Sequence, residues 1–476
     1  MKAWICLLAA AVACGKGAHE QGLPAIVDAG GSASTDPADA GTVATAPPTP
    51  DAGPIATTPP PDAGVSAACP GTPQLLWSRT LTTDADFRGV ADADGNLYWL
   101  EFDPQPFDGP TPAIFLVSGD GDGNVRYRVQ TTLPFEQQYG QFLLVSGKIL
   151  STPLGGGAVS AFDAATGAPA WTLNVSGTSS IADLGNGNVA FAAGNTDGSK
   201  APGSFYVVDV SSGRVVASSD FSPASGYGVL GSNGQGQFLS TIDATFNSDT
   251  FSIVADLFVF DSKLQPLSAA SIDDGYANGN LLLAWPSGGS PWLRAGDAPA
   301  ASRSGYLATP SSWFPAVAGA HEGFSVDFFA TPLTVHKLHD GNLGTDVSFP
   351  GFDPIAGVAV LPFLSGDHLL MLASKQHGRP ALCSPVETTG TSLIRVDAST
   401  AFECPMASLG QSEIMGAALL PGRLVIARRT IVNASCTHDL QPVTIEAYAL
   451  PGESLATSGW VQSGGNPGQG LRPIVP

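Results

Sequence analysis

The chain has 476 residues, of which 13% are charged, and its formal net charge is −21 at pH 7. Nucleic-acid phosphates and anionic lipid headgroups repel such an acidic chain, which has no basic run, so neither is expected as a ligand. Its 57 glycines and 39 prolines accompany a hydrophobic fraction of 43%, which indicates many tight turns between short apolar strands.

The N-terminus has the pattern of an export signal. A lysine follows the initial methionine, and the apolar run of residues 3–13 is too short to span a bilayer but has the length of a signal-peptide core. The run ends in the residues AVAC, in which Cys14 is followed by Gly15. We therefore predict a signal peptide over residues 1–13 and an extracytoplasmic mature chain.

The AVAC sequence resembles the lipobox of bacterial lipoproteins, with Ala11 where that family usually has leucine. The resemblance implies that a signal peptidase cuts before Cys14 and that this cysteine carries lipid. Gly15 stands where an aspartate would retain such a protein in the inner membrane, which implies an outer-membrane or cell-surface location. Ordinary signal cleavage, which removes Cys14 or leaves it unmodified, is the alternative.

Residues 14–68 form a low-complexity segment rich in Ala, Pro, Thr, Gly and Asp. The triplet DAG begins at Asp28, Asp39, Asp51 and Asp62. A segment with almost no bulky apolar side chain cannot offset the entropy cost of folding, so we predict a disordered tether. Coil statistics place the following domain on the order of 40 Å from its lipid anchor. A low-complexity tail without a role is the alternative.

The rest of the chain, residues 69–476, repeats one short pattern. Its clearest copy is VSAFDAATGAPAW, an alternating strand that ends at Asp163, a turn that closes on Gly167 and a second strand that carries Trp171. Asp163 can accept hydrogen bonds from the amides of its turn, and Gly167 can adopt a positive φ. Weaker copies occupy residues 205–217, 257–267, 393–402 and 446–456.

Strand, turn and returning strand at this spacing are typical of a β-propeller, in which each sheet buries its faces against its neighbours. In the second copy, Asp209 and Gly213 take the turn positions, and we expect Trp171 to fill the gap between two blades. Returning strands are expected near Arg128, Trp171, Val216, Leu267, Leu343, Phe402 and Leu455.

These markers predict an all-β fold, a single propeller of seven four-stranded blades over residues 69–476. An additional strand around Trp77 precedes the first unit. The interval from Leu267 to Leu343 is longer than its neighbours and has the poorest repeat. Six or eight blades are therefore the alternatives, and we expect a loop insertion in this interval.

The repeat around Trp171 resembles the quinoprotein-type repeat, and the resemblance extends over roughly residues 75–460. That fold serves pyrroloquinoline quinone dehydrogenases and also cofactor-free scaffolds, such as the propeller lipoprotein of the outer-membrane protein assembly machinery. The dehydrogenases carry an adjacent pair of cysteines over the quinone, and this chain has no such pair. Because this cysteine pair is missing, the comparison with that family implies a propeller that binds no cofactor.

Six cysteines are present, of which one is lost with the signal peptide and Cys14 takes lipid. The even remainder in an exported chain favours two disulfides, for which four cysteines allow three connectivities. We prefer Cys383 with Cys404, inside one blade, and Cys69 with Cys436, which joins the start of the domain to its last blade. Unpaired buried thiols are the alternative.

Few segments have the pattern of a chemical site. The acidic segments 92–96 and 120–124 alternate oxygen-bearing side chains as calcium loops do, but both run directly into strands and indicate hairpin turns. His336 and His339 are three residues apart, which on a strand sends their side chains to opposite faces and disfavours a zinc site. No CxxC pair, HExxH, GxSxG or phosphate-binding loop occurs. We expect no metal, no cofactor and no catalytic residue.

Three functions fit these features. We favour a non-catalytic protein-interaction scaffold of the cell envelope, a monomeric propeller domain that docks an envelope protein through loops at one rim. The first alternative is an envelope oxidoreductase or hydrolase with its site in the central channel, and the second is a carbohydrate-binding or adhesion module.

The lipid anchor gives the first testable prediction. Replacing Cys14 by Ser should move the protein from the membrane fraction to the soluble fraction, because an acidic domain has no other source of membrane affinity. Fractionation of cells that express the native and Cys14→Ser chains measures this. Unchanged membrane association of the variant would mean either that the lipoprotein prediction is wrong or that a partner at the membrane holds the propeller itself.

Overall fold

The structure, a computed structural model, describes most of the chain between residues 73 and 462. The described residues are 73–102, 113–133, 141–152, 157–175, 178, 181–194, 203–221, 228–247, 252–275, 281–284, 292–295, 306–309, 316–318, 322–327, 332–339, 342–343, 345–350, 352, 360–377, 387–397, 399–406, 409, 412–430, 442–457 and 461–462. These residues form β-strands and no α-helix, as predicted. Within them no helix has the length and apolarity that a membrane span needs. The predicted signal peptide and tether lie outside the described residues.

The chain enters with β1 (Gln74–Thr80) and then builds four antiparallel four-stranded blades, each in sequence order from the inner to the outer strand. Blade 1 contains β2 (Asp84–Ala91), β3 (Leu97–Phe102), β4 (Ile114–Gly119) and β5 (Val125–Gln130). Blade 2 contains β6 (Gln141–Val145), β7 (Lys148–Thr152), β8 (Gly157–Asp163) and β9 (Pro169–Val175). Blade 3 contains β10 (Ala182–Asp183), β11 (Asn188–Ala193), β12 (Gly203–Asp209) and β13 (Val215–Phe221). Blade 4 contains β14 (Gly228–Ser232), β15 (Gln237–Asn247), β16 (Ser252–Asp261) and β17 (Pro266–Gly275).

The long interval after blade 4 carries a further sheet. It consists of β18 (Leu281–Ala284), β19 (Trp292–Ala295) and β20 (Tyr306–Thr309) in the order β19-β18-β20. Blade 5 has five strands, β21 (Ala316–Ala318), β22 (Glu322–Asp327), β23 (Leu333–His339), β24 (Asn342–Leu343) and β25 (Val347–Phe349). Blade 6 contains β26 (Val360–Ser365), β27 (His368–His377), β28 (Glu387–Val396) and β29 (Ala401–Pro405). Seven sheets of four or five strands thus agree with the predicted propeller, and the expected insertion contains a three-stranded sheet.

Blade 7 is completed by the two ends of the described chain. Its own strands are β30 (Ser412–Leu420), β31 (Arg423–Thr430) and β32 (Val443–Ala449), and β1 is its fourth, outer strand. β1 runs antiparallel to β32, with Gln74 opposite Ala449 and Thr80 opposite Thr444. The prediction of a returning strand near Leu455 is therefore wrong, because β1 already occupies that edge of β32. Leu455 instead forms a bridge with Ser365 of blade 6.

The hydrophobic core lies between the blades. Phe87 of blade 1 and Ile445 of blade 7 share one buried apolar cluster, and Tyr98 of blade 1 and Phe162 of blade 2 share another. Similar clusters join blade 2 to 3, 3 to 4, 5 to 6 and 6 to 7. Since each blade buries its faces only against its neighbours, the stability of one blade depends on the next.

The two ends of the blades differ in the length of their connections. Because neighbouring strands alternate in direction, the first-to-second and third-to-fourth turns of every blade leave at one end, which we call the turn face. At this end β6 and β7 are joined by residues 146–147, and β31 follows β30 through residues 421–422. At the opposite end, the connection face, most connections are longer, such as 103–113 and 431–442, although residues 153–156 and 248–251 are short.

Two glycines let the inner strands of blades 1 and 7 touch. A Cβ atom on Gly89, whose φ is 71°, would lie 1.9 Å from the carbonyl oxygen of Ala417. A Cβ atom on Gly416 would lie 1.9 Å from the carbonyl oxygen of Phe87. Only glycine permits this contact between backbones, so the junction that closes the ring depends on both residues.

This contact predicts a large effect of Gly89→Ala. Gly147 has a φ of 73° with nothing within 4 Å of the position of a Cβ, so Gly147→Ala isolates the cost of the backbone conformation. We expect Gly89→Ala to lower the free energy of unfolding by at least about 2 kcal/mol more than Gly147→Ala, because the carbonyl of Ala417 must shift. Denaturant titration of both variants measures the difference. Equal losses would show that the two inner strands do not touch.

Candidate functional site

Aromatic side chains on outer strands are hydrogen-bonded to the next blade at three successive interfaces. In each case the ring donates to a backbone carbonyl in a turn of the neighbouring blade. The three bonds run from Trp77 Nε1 to Gly121 O at 3.0 Å, from Tyr127 Oη to Ala164 O at 3.0 Å and from Trp171 Nε1 to Val210 O at 2.7 Å. We call these contacts latches, and they lie at the interfaces between blades 7 and 1, 1 and 2, and 2 and 3.

The residues of the predicted repeat build the turns that receive the latches. The Asp163 carboxylate accepts hydrogen bonds from turn amides at 3.1 Å and from a lysine ammonium at 2.9 Å. Asp209 holds the next turn in the same manner. Gly167 and Gly213 have φ values of 74° and 71°. A Cβ atom on Gly213 would lie 2.6 Å from the Trp171 ring, so the missing side chain makes room for the indole.

The interface between blades 3 and 4 carries a different pair of residues at these positions. Ala217 of blade 3, four residues after the turn glycine, stands where blades 1 and 2 have an aromatic residue. Leu264 of blade 4 has a φ of 62° and stands where the corresponding turns of blades 1, 2 and 3 have glycine. Both residues belong to one apolar cluster, in which Leu264 is 7% exposed. A small outer-strand residue thus accompanies a large turn residue, which keeps the interface filled.

The two acidic segments form hairpin turns, as predicted. The Asp92 carboxylate accepts hydrogen bonds from the Asp94 amide at 3.0 Å, the Asn96 amide at 2.8 Å and the Tyr98 hydroxyl at 2.7 Å. Burial and the bond to Asp92 raise the pKa of Tyr98 to about 12. Asp120 binds the amides of its own turn in the same way. Among the described residues, no three His, Cys, Asp or Glu side chains are grouped to hold a metal ion.

A group of ion pairs, most of whose side chains are buried or partly buried, lies in blades 1 and 7 near the connection face. We call this group the charged seam. It comprises Asp84, Glu101, Arg128, Arg428, Arg429 and Glu446. Asp84 opens β2 and Arg429 is close to the end of β31, and their ion pair crosses from blade 1 to blade 7. Glu101 accepts from Arg128 Nε at 2.7 Å and from Trp99 Nε1 at 3.1 Å.

Glu446 is the most highly coordinated carboxylate of the charged seam. Arg428 donates to it twice, from Nη2 at 2.8 Å and from Nε at 2.9 Å, and the Tyr448 hydroxyl donates at 2.7 Å. Ser78 of β1 adds a bond at 3.3 Å, which ties the outer strand to this group. Burial alone would raise the pKa of Glu446, but the bonds from Arg428 and Tyr448 outweigh it and hold the pKa below its usual value.

A second polar group lies at the turn face between blades 6 and 7. Glu453 Oε2 accepts from Ser365 Oγ at 2.6 Å and lies 2.8 Å from His368 Nε2, while Arg395 Nη1 donates to Oε1 at 3.1 Å. Burial opposes ionisation, yet the bonds from His368 and Ser365 and the charge of Arg395 lower the pKa of Glu453. Ser365 donates to the glutamate and not to the histidine. The set therefore lacks the serine–histidine bond that activates a nucleophile.

The other predicted residues are placed separately. His336 and His339 both lie on β23, and His336 Nδ1 is 3.0 Å from Asp346 Oδ1. Cys404 is buried and disulfide-bonded, and its partner lies outside the described residues, so the pairing with Cys383 stays a prediction. Cys14, Cys69, Cys383 and Cys436 all lie outside the described residues.

No family model and no curated protein matches the sequence, so the quinoprotein-type resemblance stays a prediction. Similar solved structures include the C-terminal WD40 domain of Sif2, with 10% identity, a TM-score of 0.42 and coverage of 80% of this chain and 100% of that one. The β-propeller domain of the Trilobed protease from Pyrococcus furiosus has 10% identity, a TM-score of 0.41 and coverage of 78% and 97%. Pyrococcus horikoshii acylaminoacyl peptidase has 9% identity, a TM-score of 0.38 and coverage of 73% and 58%. Such weak similarities carry no information about activity.

Sequence reasoning found one latch and missed two. A signal for all three is an aromatic residue near the start of an outer strand, and in two of them it stands four residues after a turn glycine, as Tyr127 follows Gly123 and Trp171 follows Gly167. The charged seam gives no local signal, because each of its ion pairs joins different strands and the pair that joins blade 1 to blade 7 is far apart in the sequence. Together the latches and the charged seam connect blades 7, 1, 2 and 3 to one another.

The charged seam predicts a strong effect of breaking one ion pair. Arg428→Ala should lower the free energy of unfolding by about 3–5 kcal/mol, because Glu446 remains buried without its partner. Replacing both residues, as Arg428→Met with Glu446→Leu, should cost less than the single change, because no buried charge is left unpaired. Thermal and chemical unfolding of the native chain, the single variant and the double variant measure these differences in stability. A double variant less stable than the single one would contradict this account.

The lowered pKa of Glu446 also sets the sign of a pH effect. Its pairing stabilises the fold above the pKa of the unfolded chain, and this stabilisation is lost as the pH falls through the lower pKa of the folded state. The native chain should therefore lose melting temperature on acidification more steeply than Glu446→Gln. Parallel slopes of the two proteins from neutral to acidic pH would show that Glu446 is not paired in solution.

Proposed function

We propose that this chain is a non-catalytic protein-interaction scaffold of the cell envelope, and that its connection face docks a partner protein. The distribution of connection lengths carries the proposal. Hairpins such as 146–147 and 421–422 close the turn face, whereas stretches such as 103–113 and 431–442 join strands at the connection face. In repeat proteins, insertions that gather on one face of a rigid array commonly form its binding surface.

The hydrogen bonds of the turn face support the same division. Hydrogen bonds from Ser212 and Ser211 lower the pKa of Asp209 to about 2, and Asp163 is bonded to its own turn as well. Carboxylates engaged in this way fix the conformation of the turns. These short, locally bonded turns support a docking surface at the opposite face, where the connections are longer.

Among the described residues, one group could be a catalytic site for the enzyme alternative. It consists of Ser365, His368 and Glu453. In this group both His368 nitrogens point toward carboxylates, Nε2 at 2.8 Å from Glu453 and Nδ1 at 3.6 Å from Asp367. The serine hydroxyl donates to the Glu453 carboxylate and not to His368, so the histidine is not placed to take its proton. The group is better explained as an anchor than as a catalytic site.

The envelope location rests on the N-terminal sequence. The lipobox-like residues around Cys14 and the polar segment 14–68 would hold the propeller outside the cytoplasm, near the membrane. A tether of this kind lets a rigid domain reach a partner in the same envelope. Lipidation and location are tested by the Cys14→Ser fractionation.

Site-specific photo-crosslinking in intact cells tests the docking face. A photoreactive residue is placed at exposed Thr82 or Gln130 on the connection face, or at exposed Asp94 or Lys263 on the turn face as matched controls. We expect a reproducible protein adduct from the connection-face positions and none from the controls. Adducts from the turn face alone, equal labelling of both faces, or no protein adduct at any position would contradict the proposal.

A further inference from the structure

The chain does not end its fold with blade 7. After β32 it crosses to blade 6 and lies along β26, a segment that we call the strap and that comprises residues 453–457 and 461–462. The Ala456 amide donates to Leu364 O at 2.8 Å, and the Leu364 amide donates to Val461 O at 2.7 Å. Further bridges join Ser365 to Leu455 and Phe363 to Gln462.

The strap occupies the inner edge of the blade. β26 is the first strand of blade 6 and pairs with β27 on its other side, so the edge that receives the strap is the one that faces the central channel. Val461 is fully buried, and Ala456 is 9% exposed, in a cluster that also contains Val317 of blade 5. An unpaired inner edge exposes backbone donors and acceptors that bind any extended segment within reach.

One carboxylate fixes the strap at its start. Glu453 gathers Ser365, His368 and Arg395 of blade 6 around its two oxygens, at distances between 2.6 and 3.1 Å. The Ser454 amide also donates to Ser365 Oγ at 3.2 Å. These are charge-assisted bonds to a carboxylate that is 13% exposed, and they are stronger than the few backbone bonds further along the strap.

We propose that the strap is an autoinhibitory contact: a removable occupant of a strand-accepting edge, which Glu453 locks in place. When the lock opens, the inner edge of β26 accepts an extended polypeptide segment in place of the strap. This site lies in the channel, so it is separate from the docking surface on the connection face and stands or falls independently of it.

The test supplies the strap from outside. The strap of the Glu453→Ala chain lacks the glutamate that locks it against β26. A fluorescent peptide with the sequence of residues 453–462 retains this glutamate and can therefore compete with the altered strap for the inner edge of β26. We expect the variant to bind this peptide about tenfold to a hundredfold more tightly than the native chain, as measured by anisotropy. The same peptide with alanine in place of the glutamate is the matched control and should bind weakly to both chains.

Asp367→Asn is the control variant, because Asp367 is 90% exposed and lies near His368 Nδ1, whereas Glu453 contacts the other ring nitrogen, Nε2. It should bind the peptide no better than the native chain. Equal peptide affinities of native and Glu453→Ala chains, equal affinities of the two peptides, or absence of binding to the variant would overturn the proposal.

Hydrogen exchange of a milder variant tests the same proposal if the Glu453→Ala chain folds poorly. In Ser365→Ala, which removes one of the bonds to Glu453, the amides of Leu364 and Ala456 should exchange several-fold faster than in the native chain. Amides between β27 and β28 should keep their native rates. Unchanged exchange at Leu364 and Ala456, or an equal increase throughout blade 6, would show that no local release of the strap occurs.

Discussion

The pairing of β1 with β32 is the interaction on which the rest of the ring depends. It joins Thr80 to its neighbour Thr444 across almost the full length of the domain, with hydroxyl oxygens 3.2 Å apart. It gives blade 7 its outer strand, and with that strand come the Trp77 latch and the Ser78 bond to Glu446. Without β1 the edge of β32 would be open to other chains.

Further contacts between neighbouring blades stabilise the closed ring. Each latch fixes an outer strand to a turn of the next blade, and each apolar cluster is shared by two blades, so no blade holds its faces dry alone. At the junction of blades 7 and 1, Gly89 and Gly416 add a backbone contact that no side chain could mediate. These contacts support the proposed scaffold function, because a preorganised surface lowers the entropic cost of binding a partner.

The local sequence pattern was sufficient to predict the strands, the turns and one latch. It was not sufficient where the partner of a residue or strand is far away in the sequence. Asp163, Gly167 and Trp171 lie within one repeat, so their structural roles can be predicted from the neighbouring sequence. The position of β1 in blade 7 cannot be predicted in this way, because nothing near Trp77 encodes a partner more than 360 residues away. The false returning strand at Leu455 has the same cause, since the repeat pattern continues through the turn after β32 although another strand already fills the edge.

The polar groups divide in the same way. The aspartates of the turns are predictable because each bonds to amides two to four residues ahead. The charged seam and the Glu453 group also contain pairs that are distant in sequence, and only the topology brings Arg429 to Asp84 or His368 to Glu453. Both groups join neighbouring blades, so charge as well as apolar burial holds the ring together.

An engineered crosslink measures the closure most directly. Thr80 and Thr444 stand opposite each other on β1 and β32, so Thr80→Cys with Thr444→Cys should form a disulfide under mild oxidation and raise the melting temperature. Thr80→Cys with Ile445→Cys is the control, because the side chain of residue 445 points to the other face of the sheet. A crosslink in the first pair and none in the second is the predicted result. Failure of the first pair to crosslink, or equal crosslinking of both, would contradict the closed ring.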